Sequence, residues 1–218
     1  MENILQFLSE LKQNNNRDWF QANKDWYLQV KSEHETMVSK IIAGISAFES
    51  DLQLLNPKEC VFRIYRDVRF SKNKDPYKTA FGAVFSKGGR KSKYAGYYFH
   101  LEPGNSFAGG GIWRPEPDAL KNIRYEIYNF PEEFLKIINA KDFKHTFGEL
   151  SGEKLKRPPK DFPAEFEHIE LLKYKSLTVG RKFSDTALTS NTFYTELIKT
   201  LKSMKPFIAF LNRGIENG

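Results

Sequence analysis

Residues 94–113 read Tyr94-Ala95-Gly96-Tyr97-Tyr98-Phe99-His100-Leu101-Glu102-Pro103-Gly104-Asn105-Ser106-Phe107-Ala108-Gly109-Gly110-Gly111-Ile112-Trp113. Segments 94–101 and 106–113 are rich in aromatic and aliphatic residues, and Pro103-Gly104-Asn105 separates them. Turn residues between two such runs predict a pair of antiparallel strands. Upstream, 60–70 and 79–86 carry the same aromatic and β-branched character and are predicted strands as well. Their connections, Lys72-Asn73-Lys74-Asp75-Pro76 and Gly88-Gly89-Arg90-Lys91, are short enough for antiparallel neighbours in one sheet.

Outside this block the period changes from 2 to 3.6. Ile4, Phe7, Leu8 and Leu11 recur at helical spacing, and Asn14-Asn15-Asn16 ends that helix. Asn16 or Asp18 can cap a second, longer helix to about Phe48. Its stripe would be Trp19, Trp26, Val30, Met37, Ile41, Ile45 and Phe48. Asn56-Pro57 marks a loop. Beyond Trp113, Pro115 and Pro117 suit a helix's first turn, and Ile123, Ile127 and Tyr128 continue it. A helix is expected from Pro131 to near Ala140, and a short strand over 143–147. Leu171-Leu172 and the run from Leu177 to Phe183 read as a helix followed by a strand. The last helix runs from about Asn191 to Leu211, with Pro206 breaking or kinking it. The expected fold is α+β: one domain over residues 1–218, with a central antiparallel sheet of about four to six strands flanked by N-terminal and C-terminal helices.

Composition agrees with a packed core. The chain of 218 residues is 40% hydrophobic and holds 19 Phe, 10 Tyr and 3 Trp. Its single cysteine, Cys60, has no internal disulfide partner, and no Cys/His group has zinc spacing. Cys60 is expected to be a buried, reduced thiol. Met1-Glu2-Asn3-Ile4 opens no signal peptide, and the most apolar stretch, Ile41 to Phe48, is too short to span a bilayer. A cytoplasmic protein with no membrane partner is the expectation.

The net charge of +7 is not spread evenly. Segment 57–95 holds eleven Lys and Arg against three Asp and Glu, and the rest of the chain holds 23 against 24. The excess therefore sits on predicted strands and their loops. On a strand, Phe62, Ile64, Arg66, Val68 and Phe70 would share one face, and Arg63, Tyr65, Asp67 and Arg69 the other. Arg66 on an apolar face needs a partner, which could be a protein carboxylate or a bound anion. The same charges could equally form a structural ion-pair network, with Asp67 neutralising one arginine.

Two features favour a ligand. Lys72 and Lys78 bring ammonium groups beside the arginines, whose planar forks suit phosphate and carboxylate. Gly109-Gly110-Gly111 precedes Arg114 and a predicted helix start, where backbone approaches closely and N–H groups are unpaired. The triplet lacks dinucleotide or phosphate-loop spacing, and packing of a helix on the sheet explains it as well. The candidate ligand site is Arg63, Arg66, Asp67, Arg69, Lys72, Lys78, Gly110, Gly111 and Arg114. No metal site is expected: Glu102 and Asp118 have no ligand spacing around them. His100 shares a strand face with Tyr98 and could move a proton, although a satisfied histidine at the edge of an aromatic core fits the same position.

The run from Phe62 to Lys72, with Asp75-Pro76-Tyr77-Lys78, resembles the domain-of-unknown-function family numbered 2461, a group of conserved hypothetical proteins. Asn15-Asn16-Arg17-Asp18-Trp19-Phe20, the stretch Gly109 to Pro115, Ile123-Arg124, Pro159-Lys160-Asp161-Phe162 and Leu171-Leu172-Lys173 match it too. The resemblance implies one full-length domain, and it carries no activity, cofactor or catalytic residue. It also implies that the anion-site residues are the family's own signature. The primary reading is thus a protein binding a small phosphate- or carboxylate-bearing ligand. The alternatives are an enzyme acting on that ligand and a nucleic-acid-binding module. Cofactor and oligomeric state stay open.

Overall fold

The computed structural model describes residues 1–217. Helices α1 (Glu2–Gln13), α2 (Arg17–Ala22), α3 (Lys24–Ser46) and α4 (Pro57–Cys60) come first. Strands β1 (Phe81–Phe85), β2 (Gly96–Leu101) and β3 (Ser106–Ile112) follow. Then come helices α5 (Pro117–Asn129), α6 (Pro131–Ile138), α7 (Lys141–Phe147) and α8 (Ile169–Leu172). Strand β4 (Leu177–Phe183) and helices α9 (Asp185–Leu188), α10 (Phe193–Ser203) and α11 (Lys205–Glu216) complete the order. The fold is α+β, with a four-stranded antiparallel sheet in the order β1-β2-β3-β4 and helices towards both ends of the chain. Among the described residues no helix is long and apolar enough to cross a membrane.

Local chemistry explains the helix boundaries. Asn16 caps α2, its side-chain oxygen accepting the Trp19 N–H at 2.9 Å. The expected single helix from there to Phe48 is divided at Asn23, whose side chain donates to the Trp19 carbonyl at 2.9 Å. That bond turns an Asn against the regular ladder, as local amides do. Residues 143–147 are helical and not a strand, because Phe143 and Phe147, four apart, bury together on one face. Asn56 caps the short α4, with Pro57 in its first turn. Met204 separates α10 from α11, and Pro206 sits in the first turn of α11.

The chain divides into two compact units, each discontinuous in sequence. The first gathers Met1–Arg90, Tyr98–Ala108 and Lys182–Ile198. Its core sets Ile4, Phe7, Leu8 and Leu11 of α1 with Val30, Val38, Ile41 and Ile45 of α3, all buried. Phe20 stacks on Tyr77 with centroids 3.9 Å apart, and Phe193 packs on Phe99 and Phe183. Cys60 is fully buried, and burial first, then Glu59, pushes its thiol up to about 11. That suits a structural residue and not a nucleophile. The second unit gathers Lys91–Tyr97, Gly109–Arg181 and the chain from Lys199 onward. There Phe134 packs on Phe207 and Phe210, and Gly214 lets α11 lie against Ile123 and Glu126 of α5. Arg213 pairs with both Glu126 and Glu133 across the same helices.

Candidate functional site

Segment 60–70 is not a strand. Val61 bridges Ala83 and Tyr65 bridges Tyr77, both antiparallel, but the pairing slips between them. The Phe62 N–H donates to Gly82 and the Lys78 N–H donates to Ile64. Between the two bridges residues 62–64 thus face residues 78–82, an insertion of two residues that breaks the ladder as a bulge does. Strand alternation therefore cannot be carried through it. Ile64 and Tyr77 are buried, whereas Phe62 is 37% and Phe70 95% exposed.

What holds this arm is side-chain hydrogen bonding. Asn15 both donates to the Tyr77 carbonyl and accepts the Tyr77 N–H. Arg66 donates to the Asp75 carbonyl at 3.0 Å, and reaches Ser71 Oγ and the Asn73 carbonyl at 3.4 and 3.5 Å. Lys74 Nζ donates to the Val68 carbonyl at 3.1 Å. Among the described residues the partners of Arg66 are thus the Ser71 hydroxyl and two backbone carbonyls, and none is a carboxylate. Its guanidinium gathers the carbonyls of a turn that would otherwise face water.

The other predicted cations separate into paired and unpaired groups. Asp67 and Arg69 form a two-pronged pair at 3.0 and 2.7 Å. The Arg69 fork holds the Asp67 carboxyl below its usual range, and Arg69 is raised in turn. Both are exposed, so the pair contributes little to stability. Lys72 is exposed. Arg63 and Lys78 behave differently. Among the described residues neither has a carboxylate at ion-pair distance. Burial, then the charge of Arg63, depresses the Lys78 ammonium. Its Nζ lies 5.3 Å from the centre of the Phe62 ring. The Asp67 charge reaches Arg63 but is already held by the Arg69 fork, so the repulsion between the two cations is one that a further negative group would offset.

Beside this pair runs a hydrogen-bonded row on β2. Tyr98 and His100 share the half-buried face, and Glu102 continues it. The Tyr98 hydroxyl lies 2.9 Å from His100 Nδ1, and His100 Nε2 lies 3.1 Å from Glu102 Oε2. Asn105 donates to the same carboxylate at 3.1 Å and Thr79 to its other oxygen at 3.4 Å. Burial raises the Glu102 carboxyl, but the bonds from Asn105 and His100 outweigh it and leave it lowered. An ionised Glu102 fixes the proton on Nε2, so Nδ1 accepts from Tyr98. Burial, then the Glu102 charge, pushes the Tyr98 phenol up to about 12. Phe62 meets Tyr98 edge-on at 6.4 Å, which joins the row to the Arg63–Lys78 pair. Gly82 leaves room for the phenol: a Cβ there would lie 2.6 Å from the Tyr98 oxygen.

The predicted residues Gly110, Gly111 and Arg114 belong to the second unit, and local packing accounts for each. A Cβ on Gly110 would meet Met204 Sδ at 2.6 Å. Gly111 has φ +117, and a Cβ there would lie 2.1 Å from the Leu177 carbonyl. Arg114 has φ +48, its N–H donates to Ser176 Oγ at 2.9 Å, and its guanidinium lies over Trp113. Phe62 and Glu102 complete the constellation around Lys78 and His100; neither stood among the predicted ligand residues. Carrying the β2 alternation two residues past His100 would have found Glu102. Elsewhere in the first unit, a groove of about 800 Å³ lies among Ile4, Glu33, Met37, Lys40, Phe193 and Leu197, away from these groups in sequence. Among the described residues no group of His, Cys, Asp and Glu could hold a metal ion.

Compared with known families, residues 3–210 match the one described as Conserved hypothetical protein (DUF2461). No curated protein and no solved structure matches the chain.

Proposed function

The chain belongs to this family of conserved hypothetical proteins, and on that premise we propose that it binds a phosphate- or carboxylate-bearing ligand at Arg63 and Lys78. The observation that carries this is the half-buried Lys78 over Phe62, with the charge of Arg63 acting on it and no carboxylate at ion-pair distance among the described residues. A bound anion would offset the repulsion between the two cations and would restore the Lys78 ammonium, since an opposite charge favours the charged form. Lys72 stays a mobile supporting charge. Arg66 and the Asp67–Arg69 pair shape the turn and do not grip the ligand. The reading takes the chain as one domain acting in the cytoplasm, in keeping with an unpaired, buried Cys60.

Thermal unfolding in millimolar inorganic phosphate and pyrophosphate tests this. A ligand that binds only the folded state raises the midpoint by mass action. The wild type should shift upward, and Arg63→Ala and Lys78→Ala should each lose most of that shift. An unshifted wild type, or variants that shift as it does, would sink the proposal.

A second reading, an enzyme acting on the same ligand, is favoured by the row Tyr98–His100–Glu102. A base held at the right tautomer by a carboxylate, with a hydroxyl on its other nitrogen, has the parts of a proton-transfer device. Tyr98→Phe and His100→Gln should then leave phosphate binding intact while abolishing turnover of a phosphate ester probe such as p-nitrophenyl phosphate. If the wild type turns over none, the binding reading stands alone.

A further inference from the structure

The turn above Arg63 and Lys78 has its own unusual feature. Phe70 is 95% exposed and Tyr65 is 42% exposed. Both rings stand in a stretch, residues 63–78, that carries Arg63, Arg66, Arg69, Lys72, Lys74 and Lys78 against Asp67 and Asp75. An apolar ring left in water gains nothing for the fold. Yet the turn that presents it is not loose: Arg66 and Lys74 tie its carbonyls, and the Asp75 N–H donates to Asn73 Oδ1 at 2.7 Å. The Arg69 guanidinium sits 5.8 Å from the centre of the Phe70 ring, so charge and ring are offered together. At the base of the arm Lys24 Nζ donates to the Tyr65 hydroxyl at 3.3 Å and adds a further cation.

We propose that this arm binds single-stranded nucleic acid, with a phosphodiester at Arg63 and Lys78 and bases stacked on Phe70 and Tyr65. The inference rests on the anion site proposed above and names its ligand. Proteins that take single strands without sequence preference combine a track of cations with exposed rings, because every base offers a π-face. The alternative surface that wants cations around an exposed ring is an anionic bilayer. The partial burial of these groups argues against it: Lys78 lies over Phe62 and the Tyr65 ring packs on Phe20 and Tyr77, whereas a flat bilayer takes groups that protrude together from one surface.

The test is fluorescence anisotropy of a labelled oligothymidine with the whole protein at several salt concentrations, beside co-sedimentation with vesicles of phosphatidylserine and phosphatidylcholine. Binding to the oligonucleotide should fall with salt, at a log–log slope of about −2 to −3 for three or four phosphate contacts. Phe70→Ala, at an exposed site where the circular dichroism spectrum should stay unchanged, should weaken binding by at least about fivefold through lost stacking. Lys78→Ala should weaken it and flatten the slope by about one. Three results would overturn the proposal: an unbound oligonucleotide, a Phe70→Ala variant binding as wild type, or vesicle binding that exceeds oligonucleotide binding. The two readings fail separately. A phosphate-induced thermal shift lost in Arg63→Ala, with no oligonucleotide binding, leaves the small-anion site standing and removes only this one.

Discussion

The arm over residues 61–78 and the hairpin of β2 and β3 have the same kind of composition, aromatic and β-branched residues broken by turn residues, and they hold themselves by different means. In the hairpin, backbone pairs with backbone in a continuous sheet. In the arm, backbone pairs with backbone at isolated bridges and one turn, and side chains of Asn15, Arg66, Asn73 and Lys74 take further donors and acceptors. The difference teaches where function can be placed. A ladder uses its polar groups on itself and turns apolar side chains inward: Tyr97, Phe99 and Leu101 are buried on β2. An arm tied by its own side chains can hold a shape while turning rings and cations outward.

Breaking the ladder should cost most. At Gly111 a methyl group would stand 2.1 Å from a backbone carbonyl at a φ that side chains rarely adopt. Neither partner is a flexible tip that can swing aside. Gly111→Ala should lose more than about 4 kcal/mol in urea unfolding or fail to fold, a size reserved for buried clashes. A loss under about 1 kcal/mol would mean that the strand edge relaxes freely.

The helix behind the ladder sets the acid limit. His34 is 2% exposed, stacks on Phe81 of β1 at 4.8 Å, and its Nε2 has no hydrogen-bond partner. Burial lowers its pKa to about 4 from 6.5. The sign follows: the unfolded chain takes up a proton below pH 6.5 while the folded one does not until about pH 4. Stability is therefore whole above pH 6.5 and falls as pH drops through that window, by roughly 3 kcal/mol in all. His34→Leu should flatten this part of the stability profile. A profile unchanged by that substitution would assign the acid loss to other groups.

The ladder and the helices were the legible part. Strands β1 to β4 fall within segments picked out by aromatic, aliphatic and β-branched residues between turn residues, because a buried sheet draws on those side chains. The arm was not legible, because exposed and buried strands, bulged segments and side-chain-tied turns draw on the same residues. Arg66 shows this directly: its position among Phe62, Ile64 and Val68 pointed to an apolar face, whereas its partners are a hydroxyl and two carbonyls five to nine residues ahead. No spacing rule announces such a turn. The glycines carry a further lesson. Gly110 and Gly111 stand before a predicted helix start, as anion-binding glycines do, yet Met204 and the Leu177 carbonyl fill the space beside them. Close approach to a ligand and close approach to the protein's own chain leave one signature in sequence.

Loosening the arm should cost much less than breaking the ladder. Arg66→Ala removes three hydrogen bonds from a half-exposed turn. Global stability should drop by only about 1 kcal/mol, since the carbonyls return to water. The local effect should be larger. Amide exchange at Arg69 and Ser71 and cleavage by trypsin near Lys72 should both speed up while β2 exchange stays unchanged. Equal acceleration in both regions would show that the arm and the ladder open as one unit.

The smallest structural effect and a clear functional one should coincide at Asp67. Its pair with Arg69 is exposed, so Asp67→Asn should leave the unfolding midpoint where it was. The carboxylate is, however, one of only two acids among the charges of residues 63–78. Removing it frees the Arg69 fork beside Phe70 and withdraws a negative charge that acts on Arg63. Phosphate and oligothymidine should then bind more tightly at low salt, with the gain disappearing as salt screens it. A variant that loses stability, or one whose affinity is unmoved at low salt, would return the Asp67–Arg69 pair to a structural role and leave the arm's charges without a common purpose.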